Sequence, residues 1–186
     1  MMAKHTKAEL QRVLEGAQLL HDAAAVRQAL DRMAAAITTE LANANPVVLC
    51  VLTGGIIPTG HLLTRLTFPL EIDYLHATRY RGTTQGKHVQ WVCRPETELQ
   101  DRTVLVIDDI LDEGHTLADV LAYCRDAGAT RTYSAVLVEK QHARCADTIS
   151  ADYVGLSVED RYVFGFGMDY KGHFRNLDGI YAVEDA

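Results

Sequence analysis

The sequence has no long apolar segment. None of its hydrophobic runs approaches the roughly 18 residues that a membrane-spanning helix needs. Its first ten residues, MMAKHTKAEL, lack the apolar core of a secretory signal peptide. These two absences predict a cytoplasmic protein that is not attached to a membrane.

Basic residues and paired cysteines are also scarce. The sequence has 18 Lys and Arg residues and 25 Asp and Glu residues. The resulting formal net charge of -7 disfavours binding of nucleic acid over the whole surface. No two of the four cysteines form a C-x-x-C pair, so neither a zinc site nor a redox motif is indicated. A chain of 186 residues is long enough to bury a core without such staples. We therefore predict one domain with reduced thiols.

Two amphipathic helices are predicted at the start of the chain. Thr6 and Glu9 fit a capping box, and apolar residues then recur at helical spacing as far as Leu20. A second helix is predicted to follow Asp22, with apolar side chains along one face as far as Leu41. Both helices are expected to serve packing.

From residue 47 onward, short apolar runs alternate with helical and polar segments. Strands are predicted over 47–52, 70–75, 88–93, 103–107, 133–138 and 153–158, and helices over 56–66 and 117–127. The polar segment 77–87 is predicted to be a mobile loop. Strands that alternate with helices predict an α/β fold with a mainly parallel sheet.

The most informative segment runs from Val104 to Leu117, with the sequence VLVIDDILDEGHTL. It joins an apolar strand to two adjacent acids, Asp108 and Asp109, and then to a Gly-containing turn that opens a helix. Such a turn presents backbone N–H groups and the positive end of a helix dipole to an anion. The pattern predicts a phosphate site in the turn. The acids would repel the phosphate, because like charges repel. They suit sugar hydroxyls or a metal ion instead.

This segment resembles the motif of the type I phosphoribosyltransferases that binds phosphoribosyl pyrophosphate (PRPP). The resemblance implies their fold, a mainly parallel twisted sheet flanked by helices. It implies a single domain over 1–186, with a core at about 47–158 and a small hood from about 1–45 and 159–186. It also implies that Asp108 and Asp109 bind the ribose hydroxyls. The loop that cradles the 5′-phosphate would consist of Asp112, Glu113, Gly114, His115 and Thr116.

The segment departs from the family pattern at two positions. Asp108 stands where the purine enzymes often have Glu, and Glu113 stands where a small Thr or Ser is typical. The second departure adds negative charge near the expected phosphate. His115 takes a variable position from which its ring could donate a hydrogen bond.

Two further segments resemble the enzymes that act on purines. Lys140 ends the next strand, and the resemblance implies that it donates to the 6-oxo group of the base. In the C-terminal segment, Tyr162 would stack on the purine and the backbone of Val163 would face its C2 substituent. Asp169 would lie near the base, and Arg175 would contact pyrophosphate through its planar fork of donors.

Two loops complete the resemblance. Arg79 and Tyr80 align with a Ser-Tyr pair in a flexible loop that closes over the active site; Tyr80 matches and Arg79 does not. Thr53 and Gly54 align with the pyrophosphate loop, where the purine enzymes usually have Lys before a pair of glycines. Thr53 has no charge to offer, so we expect backbone amides and its hydroxyl to hold pyrophosphate. The resemblance also implies a cis peptide bond between Leu52 and Thr53.

The activity implied by the resemblance is the Mg²⁺-dependent joining of hypoxanthine or guanine to PRPP. Asp112 would be the general base near purine N7. Mg²⁺ would bridge pyrophosphate and ribose oxygens, with Asp108, Asp109 and Asp169 as the residues of the metal site. A homodimer or homotetramer is expected.

Three other functions are compatible with parts of the pattern. The main alternative is a regulatory RNA-binding protein built on the same fold, because fold does not determine function. A second is a phosphoribosyltransferase for xanthine, uracil or adenine, and a third is a purely structural protein. The acidic net charge and the combination of Lys140 with the purine hood favour catalysis over the first and third.

Overall fold

The computed structural model describes residues 5–79, 89–142 and 149–184, the side chains of Arg79 and Val89 excepted. The helices in these ranges are α1 (Lys7–Gly16), α2 (Ala23–Leu41), α3 (Ile56–Leu63) and α4 (His115–Asp126). The strands are β1 (Gln18–His21), β2 (Val47–Leu52), β3 (Glu71–Arg79), β4 (Val89–Cys93), β5 (Thr103–Leu111), β6 (Arg131–Gln141), β7 (Tyr153–Glu159), β8 (Val163–Phe164) and β9 (Ile180–Ala182). None of the helices in the described ranges has both the length and the apolar character needed to cross a bilayer.

The main sheet contains six strands in the order β4-β3-β2-β5-β6-β7. Its neighbours run parallel, except that β4 pairs antiparallel with β3 at one edge. The central strands are short apolar runs, as expected where both faces of a parallel sheet are covered. This topology confirms the α/β fold with a mainly parallel sheet that the sequence predicts.

Helices cover the sheet on both faces, and alternate residues of β2 enter different cores. On β2, Val48 packs in the cluster that contains the apolar faces of α2 and α3. Val47 and Leu49 pack in the second cluster, with α4. Complete burial of each such side chain contributes about 1.5–3 kcal/mol, so the two clusters hold the strand ends in place.

The N-terminal segment confirms one expectation and corrects another. The capping box of Thr6 and Glu9 is present, and the side chain of Asp22 caps α2 through the N–H of Ala25 at 2.8 Å. The first helix was predicted to reach Leu20, but it ends at Gly16. Leu20 lies in β1, which pairs antiparallel with β9. The Leu20 side chain packs against the first core cluster. Pairing with a strand about 160 residues away in sequence leaves no trace in local periodicity.

Strands β1, β9 and β8 form a small second sheet, which lies within the ranges predicted for the hood. Other element boundaries differ from the sequence prediction at their ends. Helix α3 stops at Leu63 rather than at residue 66, β5 extends four residues beyond 107, and β6 extends three residues beyond 138. Strand β3 continues through Arg79, so the predicted loop is wrong for residues 77–79. The rest of that loop, with Tyr80, lies outside the described residues.

Candidate active site

A turn at the carboxyl end of β5 leads directly into α4. Gly114 is the N-cap of this helix, with φ +81° and no capping side chain. A Cβ atom there would lie 2.2 Å from Cγ2 of Ile149, so both the backbone conformation and the available space require glycine. Because Gly114 has no side chain, it does not cap the first N–H groups of α4. Uncapped N–H groups at the start of a helix are the usual arrangement of an anion site.

The turn borders a cleft of about 530 Å³. The cleft lies where the parallel strands β2 and β5 end side by side, the edge at which α/β sheets bind ligands. Its walls include the following residues singled out from the sequence: Thr53, Gly54, Asp108, Asp109, Asp112, Glu113, Gly114, Thr116, Asp169 and Arg175. His115 is not among the lining residues; it is exposed, with Nε2 3.9 Å from Oε2 of Glu113. His76 and Thr78 of β3 also line the cleft, and the sequence analysis missed them because it ended this strand at residue 75.

Asp108 and Asp109 form a closely spaced acidic pair at the floor of the cleft. Burial raises the pKa of Asp108 well above its ordinary value, and the charge of Asp109 raises it further. Burial also raises the pKa of Asp109, although Asp108 and the Arg175 guanidinium act in the opposite direction. Nη1 of Arg175 lies 3.7 Å from Oδ2 of Asp109, and Nη2 donates to Asp169. Burial therefore disfavours ionisation of both acids unless a positive charge lies beside them.

The turn after β2 forms the opposite wall. Thr53 is exposed and Gly54 is buried. The peptide bond between Leu52 and Thr53 is cis, which confirms the expectation from the sequence. Thr53 and Gly54 line the cleft, and neither residue carries a charge.

A second pocket of about 210 Å³ adjoins the first and shares four lining residues with it: Asp109, Ile110, Asp112 and Asp169. Lys140, Tyr162 and Val163 line its remaining wall together with Met168. Tyr162 is 51% exposed, so its ring is not part of the hood core, whereas Phe164 is fully buried. The Tyr162 hydroxyl donates to the carbonyl of Asp169 at 3.3 Å, which holds the ring at the pocket. The four residues singled out for the purine thus lie together.

Asp112 stands between the two pockets and is held by two donors from the end of β6. Nζ of Lys140 lies 3.0 Å from its Oδ2 atom, and Nε2 of His142 lies 2.7 Å from its Oδ1 atom. Partial burial tends to raise the pKa of Asp112, but these two hydrogen bonds outweigh burial and hold the pKa below its ordinary value. The sequence analysis did not single out His142. The available signal was its position two residues after Lys140, which places both side chains on one side of an extended chain.

Carboxylates in the cleft could hold a metal ion. Among the described residues, Asp112, His142 and Asp160 have ligand atoms within 4.8 Å of one another. Nζ of Lys140 lies 3.0 Å from Asp112 and 4.0 Å from Asp160, so an ammonium charge already occupies that group. The residues predicted for the metal lie at the floor of the cleft instead. There the acids offer oxygen donors alone, which hard cations prefer, although the Arg175 guanidinium contacts Asp109 and Asp169.

Comparison with known proteins gives consistent results. Residues 17–171 match the family described as phosphoribosyl transferase domain. The chain is 30% identical over 169 residues to the hypoxanthine-guanine-xanthine phosphoribosyltransferase of Tritrichomonas foetus, covering 91% of this chain and 92% of that protein. It is 34% identical over 157 residues to the hypoxanthine-guanine phosphoribosyltransferase of Streptococcus mutans, covering 82% and 85%. A solved hypoxanthine phosphoribosyltransferase from Staphylococcus aureus matches 97% of each chain with a TM-score of 0.86 at 25% identity.

Proposed function

Because the chain belongs to the phosphoribosyl transferase family, we propose that it is a purine phosphoribosyltransferase. It condenses hypoxanthine or guanine with PRPP to give IMP or GMP and pyrophosphate. The observation that carries the proposal is the pair of adjoining pockets that share Asp112. The larger pocket has an acidic pair and an anion-binding turn, which suit a phosphorylated sugar. The smaller has a cation and an aromatic ring, which suit a flat base with an oxo group.

PRPP occupies the larger cleft in this proposal. The amides of the turn from Asp112 to Thr116 hold the 5′-phosphate, and Asp108 and Asp109 accept hydrogen bonds from the ribose hydroxyls. The turn at Thr53 and Gly54 binds pyrophosphate from one side. Arg175 binds it from the other, since its planar fork of donors suits phosphate oxygens.

The acidic pair also fits Mg²⁺. This ion usually takes one or two carboxylates together with phosphate oxygens rather than a complete protein cage. Asp108, Asp109 and Asp169 would hold it, and the buried like charges of the pair favour a bound cation. When bound, Mg²⁺ neutralises charge on the departing pyrophosphate.

The purine occupies the smaller pocket. Lys140 donates to its 6-oxo group, Tyr162 stacks on its face, and the backbone of Val163 faces the C2 substituent. Asp112 accepts the proton from N7 as another purine nitrogen attacks ribose C1 and the bond to pyrophosphate breaks. Its lowered pKa keeps the carboxylate ionised at neutral pH, as this role requires. Nearby negative charge also stabilises the sugar as it becomes oxocarbenium-like.

Three further parts of the proposal follow from the family resemblance. They are a cytoplasmic location, assembly as a homodimer or homotetramer, and gating by the segment that contains Tyr80. The acidic net charge supports a protein without a nucleic-acid partner.

The experiment is a base panel with PRPP and Mg²⁺. Hypoxanthine, guanine, xanthine, adenine and uracil are each supplied to the purified protein, and nucleotide formation is measured by chromatography. We expect IMP or GMP, and loss of product when Mg²⁺ is chelated. Absence of turnover with every purine would reject the proposal, and a salt-dependent RNA shift at micromolar protein would favour a regulatory role instead.

A further inference from the structure

The carboxylate of Asp112 is held on both oxygens, by Lys140 near the end of β6 and by His142 just after it. Lys140 holds Oδ2 at 3.0 Å, and His142 holds Oδ1 at 2.7 Å. The His142 side chain is only 5% exposed, so its ring is held in place by its surroundings. Because a carboxylate oxygen can only accept, Nε2 of His142 is the donor in this contact.

The two donors differ in what the purine requires of them. Under the proposed function, Lys140 must direct its ammonium group toward the 6-oxo group of the base. The 6-oxo and N7 atoms lie on the same edge of a purine ring. The Lys140 ammonium group must therefore divide its three donors between the base and Oδ2 of Asp112 while that oxygen receives the N7 proton. His142 contacts the other oxygen and is not among the residues that line the smaller pocket.

We infer that His142 is a positioning residue, which keeps the Asp112 carboxylate oriented while Lys140 shares its donors between Asp112 and the purine. This inference rests on the proposed function. In the step itself the N7–H bond breaks, its electron pair stays on the purine, and an O–H bond forms at Oδ2. The N–C bond to ribose forms as the bond from C1 to pyrophosphate breaks. His142 keeps its own proton throughout.

The first test compares His142→Ala, which removes the donor, with His142→Gln, which retains an N–H of similar reach. His21→Ala is the matched control, because the His21 ring contacts a backbone carbonyl at 3.3 Å outside the cleft. We expect His142→Ala to lower kcat about 10- to 100-fold, as for loss of one hydrogen bond to a charged group. KM for PRPP should stay within about two-fold, since the turn amides bind the phosphate. The glutamine variant should recover part of the loss, and the control should match wild type.

A pH profile separates positioning from a general structural defect. Among the described residues, the charged groups that contact Asp112 are Lys140 on β6 and His142 just after it, and Asp160 lies beyond Lys140. Loss of the His142 donor makes the carboxylate easier to protonate, so the acidic limb of kcat should move to higher pH in His142→Ala. An unchanged kcat, or a loss with no recovery in His142→Gln and no movement of the acidic limb, would overturn the inference.

A structure of the wild-type protein with IMP tests the same point without any variant. We expect Nζ of Lys140 within about 3.2 Å of the 6-oxo atom, and Nε2 of His142 still within that distance of Oδ1 of Asp112. A His142 ring that leaves Asp112 in this complex would also overturn the inference. The base panel keeps the two claims apart: wild-type protein without turnover rejects the proposed function, whereas active wild type with an unaffected His142→Ala rejects only the role of His142.

Discussion

Gly54 lies directly against Asp109: a Cβ atom on Gly54 would be 2.0 Å from Oδ2 of the Asp109 carboxylate. No heavy-atom contact of that length is tolerated, so the turn after β2 and the acidic pair on β5 approach each other only because residue 54 has no side chain. The two walls of the cleft are thus matched to each other. This contact also makes the turn a sensitive place to test the proposed pyrophosphate site.

Gly54→Ala should displace Asp109 or the turn. We expect a loss of about 1–3 kcal/mol of stability, the usual range for overpacking, and a rise in KM for PRPP. Gly60→Ala is the control, because a Cβ atom there meets nothing within 4 Å and residue 60 lies inside α3. That variant should gain up to about 1 kcal/mol from helix propensity. Thermal melting and steady-state kinetics measure both effects, and similar behaviour of the two variants would contradict the close contact.

Asp112→Asn should remove the proposed base while preserving the shape of the side chain. We expect kcat to fall by roughly 10²–10⁴, the usual contribution of general acid–base catalysis. The affinity for PRPP should change little, since the proposed phosphate site uses the backbone amides of the turn. Asp126→Asn, an exposed position at the end of α4, is the control and should retain wild-type kcat. If kcat of Asp112→Asn stays within a few-fold of wild type, another group is the base.

Thr53→Lys should restore the cation that related purine enzymes carry at this turn. Because Thr53 is exposed and lines the cleft, the added ammonium group can reach pyrophosphate without entering the core. Inhibition by pyrophosphate should strengthen by about ten-fold, as for one new charge-assisted contact, while KM for the purine changes less. Thr39→Lys adds the same charge to an exposed site on α2 and should leave both unchanged. Equal effects of the two substitutions would remove Thr53 from the pyrophosphate site.

Asp108→Asn should stabilise the free protein at neutral pH. The pKa of Asp108 is raised on folding, chiefly by burial, so the wild-type protein loses stability as pH rises from the ordinary Asp pKa toward the raised value. Asparagine has no charge to bury, and its oxygen can still accept the Asp109 N–H, a bond of 2.8 Å in the wild type. The gain in Tm over wild type should therefore be larger at pH 7 than at pH 4. Each ~1 kcal/mol corresponds to roughly 2–4 °C in a chain of this size.

The Asp108→Asn comparison requires ligand-free protein and an exposed control position. Melting is measured without Mg²⁺ or PRPP, because a bound cation would favour the ionised acids and reverse the effect. The exposed Asp126→Asn variant should show no gain that grows with pH. A Tm difference for Asp108→Asn that is constant or decreases between pH 4 and pH 7 would show that the buried charge does not destabilise the fold.

Features formed by consecutive residues could be predicted from the sequence alone. The apolar run before Asp108, the two acids and the glycine at 114 are consecutive, so strand, acidic pair and anion-binding turn could all be predicted without knowledge of the fold. The capping residues Thr6 and Asp22 were recognisable for the same reason, since a cap bonds to amides three residues away. Helix-compatible spacing misled at Leu20, where pairing with a distant strand overrode the local pattern, and it extended α3 beyond its actual end at Leu63.

Which of these local features come into contact depends on the tertiary structure. The contact between His142 and Asp112 joins positions 30 residues apart, and it depends on β5 and β6 being parallel neighbours whose ends coincide. The approach of Gly54 to Asp109 likewise depends on β2 lying beside β5. Strand order is set by the burial of two apolar faces over the whole chain, a non-local balance that no short motif records. The residue types of the site were therefore visible in the sequence, but the hydrogen bonds that orient Asp112 arise only when the sheet is assembled.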